Sequence, residues 1–312
     1  MAPSNPLKFS VDALPDLAGR TYVVTGGNTG IGLETCLQLA KKNATVVLAS
    51  RSEERAMAAV AKIREQVPTA RVDFLPLVLN DLKQVAAAAS ELATKHPRID
   101  ALINNAGIMA SPFALSKDGI EDQFATNHVG HFLFTTRLIP NLLNAERPRI
   151  VNVSSSAHTF APNAGGILFD KINDEKAMSV WERYGQSKLA NILFSVKLDK
   201  LYGDRIYVNS VHPGVVDTEL TRSLVVTYGS WMKPIIRVLK AFGTISPADG
   251  ALTQLYAAAH PDIEEKKLKA RVFFAIANDK TDSNELSTFC KNADLADKLW
   301  EFTEALIKEK GL

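Results

Sequence analysis

Residues 20–39 constrain this chain more than any other stretch. Between Arg20 and Thr25, Tyr22, Val23 and Val24 form an unbroken apolar run, the pattern of a strand covered on both faces. Gly26-Gly27-Asn28-Thr29-Gly30-Ile31-Gly32 follows, and then Leu33, Cys36, Leu37 and Leu39 at helical spacing. Strand, glycine-rich turn and helix, in that order, are what a dinucleotide-binding unit requires. Gly26 permits the tight turn. Gly30 and Gly32 let backbone reach a pyrophosphate and let the helix pack on the strand. The helix N-terminus then offers unpaired N–H groups and the positive end of its dipole to phosphate. Asn28, Thr29 and Ile31 belong to the same turn and are expected beside the cofactor.

The end of the next strand, Thr45 to Ala49, indicates which dinucleotide. An acidic residue about 20 positions after the glycines bonds the ribose hydroxyls of NAD. Here Ser50 and Arg51 stand instead. A guanidinium matches a phosphate that a carboxylate would repel, so NADP(H) is expected in preference to NAD(H). Pairing of Arg51 with Glu53 or Glu54 on the surface is the competing reading.

Alternation continues down the chain. Helix 54–67, strand 72–79, helix 81–96 and strand 100–103 lead to helices 119–143 and 181–202, strands 150–153 and 207–211, a last strand 271–276 and a helix 294–308. Such alternation implies an α/β fold, a doubly wound parallel sheet. No linker rich in Pro, Gly or Ser and no repeat divides the chain, so residues 1–312 read as one domain behind an N-terminal tail, 1–18. The 46% apolar content is enough for a sizeable core, and a net charge of +2 gives no support for nucleic-acid binding. Cys36 and Cys290 match no zinc spacing; no metal is expected, and free thiols in a reducing compartment are. Met1 to Phe9 holds no apolar leader, and no run is long enough to span a membrane, so a cytoplasmic location is expected.

Tyr184 and Lys188 lie four apart in a helical pattern that continues through Leu189, Ile192, Leu193, Val196 and Leu201. A nearby ammonium stabilises a phenolate and is expected to lower the phenol pKa. A lowering by about three units takes roughly 4 kcal/mol, and the result is a tyrosine able to exchange a proton near neutral pH. The spacing alone is equally that of a solvated helix pair.

Taken together, the motifs resemble those of the short-chain dehydrogenase/reductase family, in one order from about Gly19 to Ile307. They are Thr25 to Gly32, Asn104-Asn105-Ala106-Gly107, Asn127 within Thr126 to Phe132, Ser154-Ser155-Ser156, Tyr184 with Lys188, and Pro213-Gly214 followed by Thr218. Asn127-His128-Val129-Gly130-His131-Phe132, Ser187-Lys188-Leu189-Ala190-Asn191 and Leu299-Trp300-Glu301 are most similar to the retinol dehydrogenase-like branch. The resemblance implies a single Rossmann domain with about seven strands in order 3-2-1-4-5-6-7. It implies Tyr184 as general acid/base, Lys188 as its cationic partner and a ribose ligand, and Ser155, rather than Ser154, as a donor to the substrate oxygen. Asn127 would kink its helix and hold a water that links Lys188 to solvent. Asn104, Ala106, Gly107, Pro213, Gly214, Val216 and Thr218 would line the cofactor. His128 and His131 read as packing or capping residues. A homodimer through helices 119–143 and 181–202 is a further implication.

Three departures stand out. Val78 occupies the place where many relatives carry an Asp for the adenine, with Asn80 or Asp81 as substitutes; Asp81 reads better as a helix N-cap. A gap of 29 positions separates Ser155 from Tyr184, so residues 165–176 are expected to form a loop at the mouth of the site. The membrane anchor of animal retinol dehydrogenases is not seen. In residues 215–247, Leu224, Tyr228, Trp231, Ile235, Val238 or Leu239, and Phe242 recur at helical spacing, with Lys233, Arg237 and Lys240 on another face and Pro234 interrupting. A lid over a lipophilic substrate, core packing and a membrane-surface helix all fit that pattern. The expected activity is interconversion of a carbonyl and an alcohol with NADP(H); reduction of C=N or C=C, or NADP(H) binding without turnover, are the alternatives.

Overall fold

The computed structural model describes residues 9–216, 222–231, 244–275 and 277–312. They form one α/β domain around an eight-stranded sheet. Its strands are β1 (Thr21–Thr25), β2 (Thr45–Ser50), β3 (Arg71–Pro76), β4 (Ala101–Asn104), β5 (Arg149–Val153), β6 (Tyr207–Val211), β7 (Val272–Phe274) and β8 (Asn278–Asp279). The order is β3-β2-β1-β4-β5-β6-β7-β8. The first seven run parallel, and β8 turns back antiparallel on β7. Sequence patterning anticipates seven of these; β8 is two polar residues long and leaves no apolar period to read.

Side chains alternate across the sheet and build two cores. In β1, Val23 belongs to one, and Tyr22 and Val24 to the other. Helices α1 (Gly30–Lys41), α2 (Glu53–Gln66) and α8 (Pro247–Ala259) cover the Tyr22 side through Cys36, Leu39, Ile63 and Leu255. On the Val23 side lie α3 (Leu82–Lys95), α5 (Gly130–Leu143), α6 (Val180–Tyr202) and α10 (Ala293–Glu309), through Leu82, Phe132, Phe194 and Leu299. The short helices α4 (Asp122–Phe124), α7 (Arg222–Tyr228) and α9 (Asp262–Glu265) complete the set among the described residues.

Local chemistry explains the boundaries. Asp81 caps α3, its carboxylate accepting the Gln84 N–H at 3.2 Å. Ser179 and Glu182 make a reciprocal capping box at the start of α6. The long helix expected over 119–143 is shorter and interrupted: α4 leads into a π turn, Ala125–Val129, before α5 begins. Helix α10 lies along α6, with Asp297 bonded to Lys197 and Lys200 at 2.6 and 2.7 Å. That flank of α6 is therefore occupied by the chain itself.

Strand β1 has β2 on one side and β4 on the other, so the chain's winding reverses between β1 and β4. Open α/β sheets bind ligands in the crevice outside the carboxyl ends of strands at such a point. The glycine turn follows β1, Asn105 to Gly107 follow β4, Ser154 and Ser155 follow β5, and His212 to Gly214 follow β6. All four loops therefore open at one edge of the sheet.

Candidate active site

The glycine turn is a cradle closed by backbone contact. Gly26 has φ +67°, which favours glycine, and a Cβ there would lie 3.0 Å from the Ala106 Cα. A Cβ on Gly32 would lie 2.2 Å from the Gly26 carbonyl oxygen and 2.6 Å from Asn105 Nδ2. Helix α1 begins at Gly30 behind Thr29, whose side chain makes no capping hydrogen bond. The first N–H groups of α1, near Ile31 and Gly32, are thus free of a side-chain cap. Turn, uncapped helix end and Asn28 fit a dinucleotide pyrophosphate. Ser50 ends β2 and is buried; Arg51 follows it, exposed, and forms no ion pair with Glu53 or Glu54 among the described residues. Asn80 is bonded to Asp122 at 2.7 Å, and Asp81 is held by α3 and by Lys117 at 2.7 Å. Asp81 is thus taken up as the helix cap.

The Asn104 side chain turns away from the crevice. It is buried and donates to Thr135 Oγ1 at 2.9 Å and Asn152 Oδ1 at 2.8 Å. The reason is strand parity: Asn104 is the last residue of β4, and its side chain turns into the interior. Asn105, one residue on, faces the turn and donates to the Thr25 carbonyl at 2.7 Å. Thr25 Oγ1 accepts the N–H groups of Asn105 and Ala106, both at 2.9 Å. Asn105 and Thr25 shape the turn through their side chains, and the sequence marked them only by their place in the two motifs. His131 joins them. It is fully buried, with Nδ1 at 3.1 Å from the Asn127 carbonyl and Nε2 at 2.8 Å from Thr25 Oγ1. A carbonyl only accepts, so Nδ1 carries the proton and Nε2 accepts the Thr25 hydroxyl. Burial pushes the ring pKa down to about 4 and keeps it neutral. His131 is therefore a bridge between β1 and the π turn.

Asn127 sits within that turn. Its Oδ1 accepts the Ile108 N–H at 2.8 Å, and its Nδ2 donates to the Ile108 carbonyl and to Ser187 Oγ, both at 2.9 Å. Asn127 thereby clamps the loop after Gly107 to α6. A Cβ on Gly107 would lie 3.1 Å from Asn127 Oδ1 and 3.4 Å from Lys188 Nζ, so these atoms flank one spot.

Tyr184 and Lys188 stand one turn apart on α6, both buried. The Ser155 side chain is near enough to the Tyr184 phenol to draw its pKa down. Ser155 is partly exposed, whereas Ser154 is buried and gives its hydroxyl to the Lys188 carbonyl at 2.7 Å. Lys188 Nζ donates to the Val153 carbonyl at 3.1 Å and lies 5.7 Å from the centre of the Tyr184 ring. One expectation is corrected here. The Tyr184 pKa is not lowered: burial pushes it up to about 12, against the downward pull of Ser155. Desolvation also pulls Lys188 down to about 8. The ammonium bonds a carbonyl rather than the phenol oxygen, so desolvation of the phenolate outweighs it.

Pro213 is buried, Gly214 has φ +92°, and Val216 bridges to Ile245 and packs against Gly250. Thr218 lies outside the described residues, as do Lys233 to Phe242. Of the expected lid, α7 is described. Its Leu224 and Val225 pack with Met109, Ala110, Val180 and Trp181, and Thr227 bonds the Ala110 carbonyl at 2.6 Å. Tyr228 and Trp231 are exposed. Phe160, 53% exposed, meets Trp181 edge-on, and Trp181 meets Tyr184 in the same way. Residues 165–176 form a loop pinned to α6, where Gln186 accepts the Leu168 N–H at 2.7 Å.

The family model for short chain dehydrogenases matches residues 20–169. The short-chain dehydrogenase/reductase drtF of Aspergillus calidoustus is 40% identical over all of this chain and 99% of its own length. The chain belongs to the short-chain dehydrogenase/reductase family. Human retinol dehydrogenase 14 is 33% identical over 93% of this chain and 86% of its own, which supports the retinol dehydrogenase-like branch. A solved structure of an uncharacterized protein from Mycobacterium paratuberculosis superposes with a TM-score of 0.74, at 31% identity, over 96% of this chain and 97% of that one. As in other short-chain dehydrogenases, the chemistry falls to a nicotinamide cofactor and a small-molecule substrate. Among the described residues no helix is long and apolar enough to cross a membrane, and no cluster of side chains could hold a metal ion.

Proposed function

We propose that this chain is an NADP(H)-dependent oxidoreductase that interconverts a carbonyl and an alcohol on a lipophilic small molecule. The observation that carries the reading is the placing of the Tyr184 phenol within influence of Ser155 and beside the buried Lys188. When bound, the cofactor supplies or takes the hydride. Two hydroxyl donors, Ser155 and Tyr184, converge on one substrate oxygen. In reduction Tyr184 gives that oxygen its proton; in oxidation it takes the proton back. A phenol pKa of about 12 keeps Tyr184 protonated at neutral pH, which suits the reductive direction. Lys188 favours the phenolate left behind and bonds the nicotinamide ribose, and Asn127 holds a water on the way from Lys188 to solvent. Ser50 and Arg51 take the 2′-phosphate. Gly26, Asn28, Thr29, Gly30, Ile31 and Gly32 hold the pyrophosphate. Ala106, Gly107, Pro213, Gly214, Val216 and Thr218 line the nicotinamide half.

Met109, Leu224, Val225 and Trp181 form an apolar wall near Tyr184, and this supports a lipophilic substrate. Free, buried Cys36 and Cys290 support a cytosolic location. A homodimer would use surface that α10 leaves open. The test is NADPH consumption across aldehydes, ketones and imines of graded size. Bulky apolar carbonyls should be turned over, and Tyr184→Phe should lose about 10²- to 10⁴-fold in kcat with NADPH binding intact. Undiminished turnover in Tyr184→Phe overturns the reading.

A further inference from the structure

His158 has no part in the chemistry above, yet it is buried next to it, 1% exposed. It lies in the 3-10 turn Ser156–Phe160, whose N-cap is Ser155. Ser155 Oγ accepts the Ala157 N–H at 3.2 Å. Two donors of His158 converge on the Ser155 carbonyl, the backbone N–H at 3.0 Å and Nδ1 at 2.6 Å. The carbonyl can only accept, so Nδ1 carries the ring proton. Nε2 is left as an acceptor, and it receives the Ser287 N–H at 3.3 Å. Donor on one side and acceptor on the other fix a single neutral tautomer. Burial, which holds the His158 pKa down, acts in the same direction.

The far partner is itself anchored. Ser287 caps the turn Thr288–Lys291, and a Cβ on Gly166 would lie 2.9 Å from the Phe289 ring. The His158 ring also meets Phe274 of β7 edge-on at 6.4 Å. One imidazole thus ties the turn that carries Ser155 to a segment 129 residues further along the chain.

We infer that His158 is a positioning residue, a neutral Nδ1–H imidazole that holds the Ser155 turn against residues 287–291 and so aims the Ser155 hydroxyl. This rests on the reading of Ser155 as a donor to the substrate oxygen. The side chain itself touches no reacting atom.

The two ring nitrogens can be separated by substitution. His158→Asn keeps an amide donor near the Nδ1 position but cannot reach Ser287; His158→Leu keeps neither bond. With NADPH and 4-nitrobenzaldehyde as probe, His158→Leu should lower kcat by about 10- to 100-fold at unchanged NADPH affinity, the scale of a small misplacement of a reacting group. His158→Asn should recover only part of kcat, because it restores the bond to the Ser155 carbonyl but not the tie to Ser287, whose amide exchanges as fast as in His158→Leu. Ser155→Ala is run beside them. Wild-type turnover in Ser155→Ala would show that the reading of Ser155 fails, and the inference with it. An inactive Ser155→Ala with full kcat in His158→Leu, or with no rescue by His158→Asn, overturns the inference alone. Nitrogen-15 spectra of the histidines in the NADPH-bound protein at pH 7 need no turnover. They should show Nδ1–H at His158; an Nε2–H tautomer or a doubly protonated ring overturns the inference.

Discussion

Replacing Lys188 with methionine should make the cofactor-free protein more stable while it disables the enzyme. Lys188 is buried, and desolvation takes its pKa from 10.5 down to about 8. Its proton therefore leaves about 2.5 pH units earlier than from a free lysine, which is ~3 kcal/mol of destabilisation where both states are charged. Methionine has a similar length and no charge. What it forfeits is the bond to the Val153 carbonyl, ~1 kcal/mol, and that carbonyl stays satisfied by Asn191 Nδ2 at 3.1 Å. The net gain is about 2 kcal/mol, or a Tm rise of about 3 °C for a chain of this size. The pH dependence has a definite sign. Between pH 8 and 10.5 the unfolded chain holds the lysine proton and the folded one has released it, so wild-type stability rises with pH relative to the variant. Thermal melts of wild type and Lys188→Met from pH 7 to 10.5 should show a gap widest near pH 7 that closes at the alkaline end. A variant that melts lower than wild type at pH 7, or a gap that does not change with pH, would refute the reasoning.

Three further outcomes follow from the geometry. Arg51→Ala should raise the KM for NADPH by about 10- to 100-fold and leave NADH unchanged, the loss of one or two charge-assisted bonds; equal use of both cofactors by the wild type ends the NADP(H) preference. Gly32→Ala drives a Cβ to 2.2 Å from the Gly26 carbonyl, so α1 must move by roughly 1 Å. NADPH affinity, read by fluorescence, should fall at least 10-fold, and an unchanged Kd means that the turn does not hold the pyrophosphate. Phe160→Ala removes a half-exposed ring that meets Trp181. It should raise KM for bulky aryl aldehydes about 5-fold, ~1 kcal/mol of apolar contact, with hexanal unaffected; equal effects on both would deny Phe160 a place in the substrate path.

What could be read from the sequence was whatever depends on local period. The apolar runs of β1, β2 and β5, the glycine turn, the Asp81 cap and the placing of Tyr184 and Lys188 on one helix face are of this kind. Three things were not readable. The first is the direction of a pKa: spacing shows that an ammonium is near a phenol, but burial outweighs it, and burial is a property of the fold. The second is parity at a strand end. Asn104 and Asn105 look alike in sequence, and one residue of register sends the first into the interior and the second to the glycine turn. The third is remote partnership. Thr25 and His131 are 106 positions apart, and Ser287 and His158 are 129. Sequence marks His131 only as a packing or capping residue, and nothing near His158 in the chain points to Ser287. The π turn at Ala125–Val129 is a related case, because a helical hydrophobic pattern runs through it without a break.

The side chain of Asn104, a residue that sequence places beside the cofactor, belongs to a polar seam that braces the site. Asn104, on β4, donates to Thr135 of α5 and to Asn152, its register partner on β5. Asn152 donates to Ser195 of α6 at 2.8 Å, and Ser210 of β6 donates to the same hydroxyl at 2.8 Å. Ser195 in turn donates to the Asn191 carbonyl at 3.3 Å, and Asn191 Nδ2 bonds the Val153 carbonyl that also receives Lys188. A polar seam thus crosses three strands directly below the loops that carry Gly107, Ser155 and Gly214. A hydrophobic interior tolerates slippage, because apolar contacts have no preferred direction, whereas a chain of bonded amides and hydroxyls has a single low-energy arrangement. Any shift of β4 against β5 or β6 would leave buried donors unpaired at about 1 to 3 kcal/mol each. Lys188, at the end of the seam, is held by the same carbonyl that closes it. The loops that carry Gly107, Ser155 and Gly214 are therefore braced from beneath by side chains of the interior.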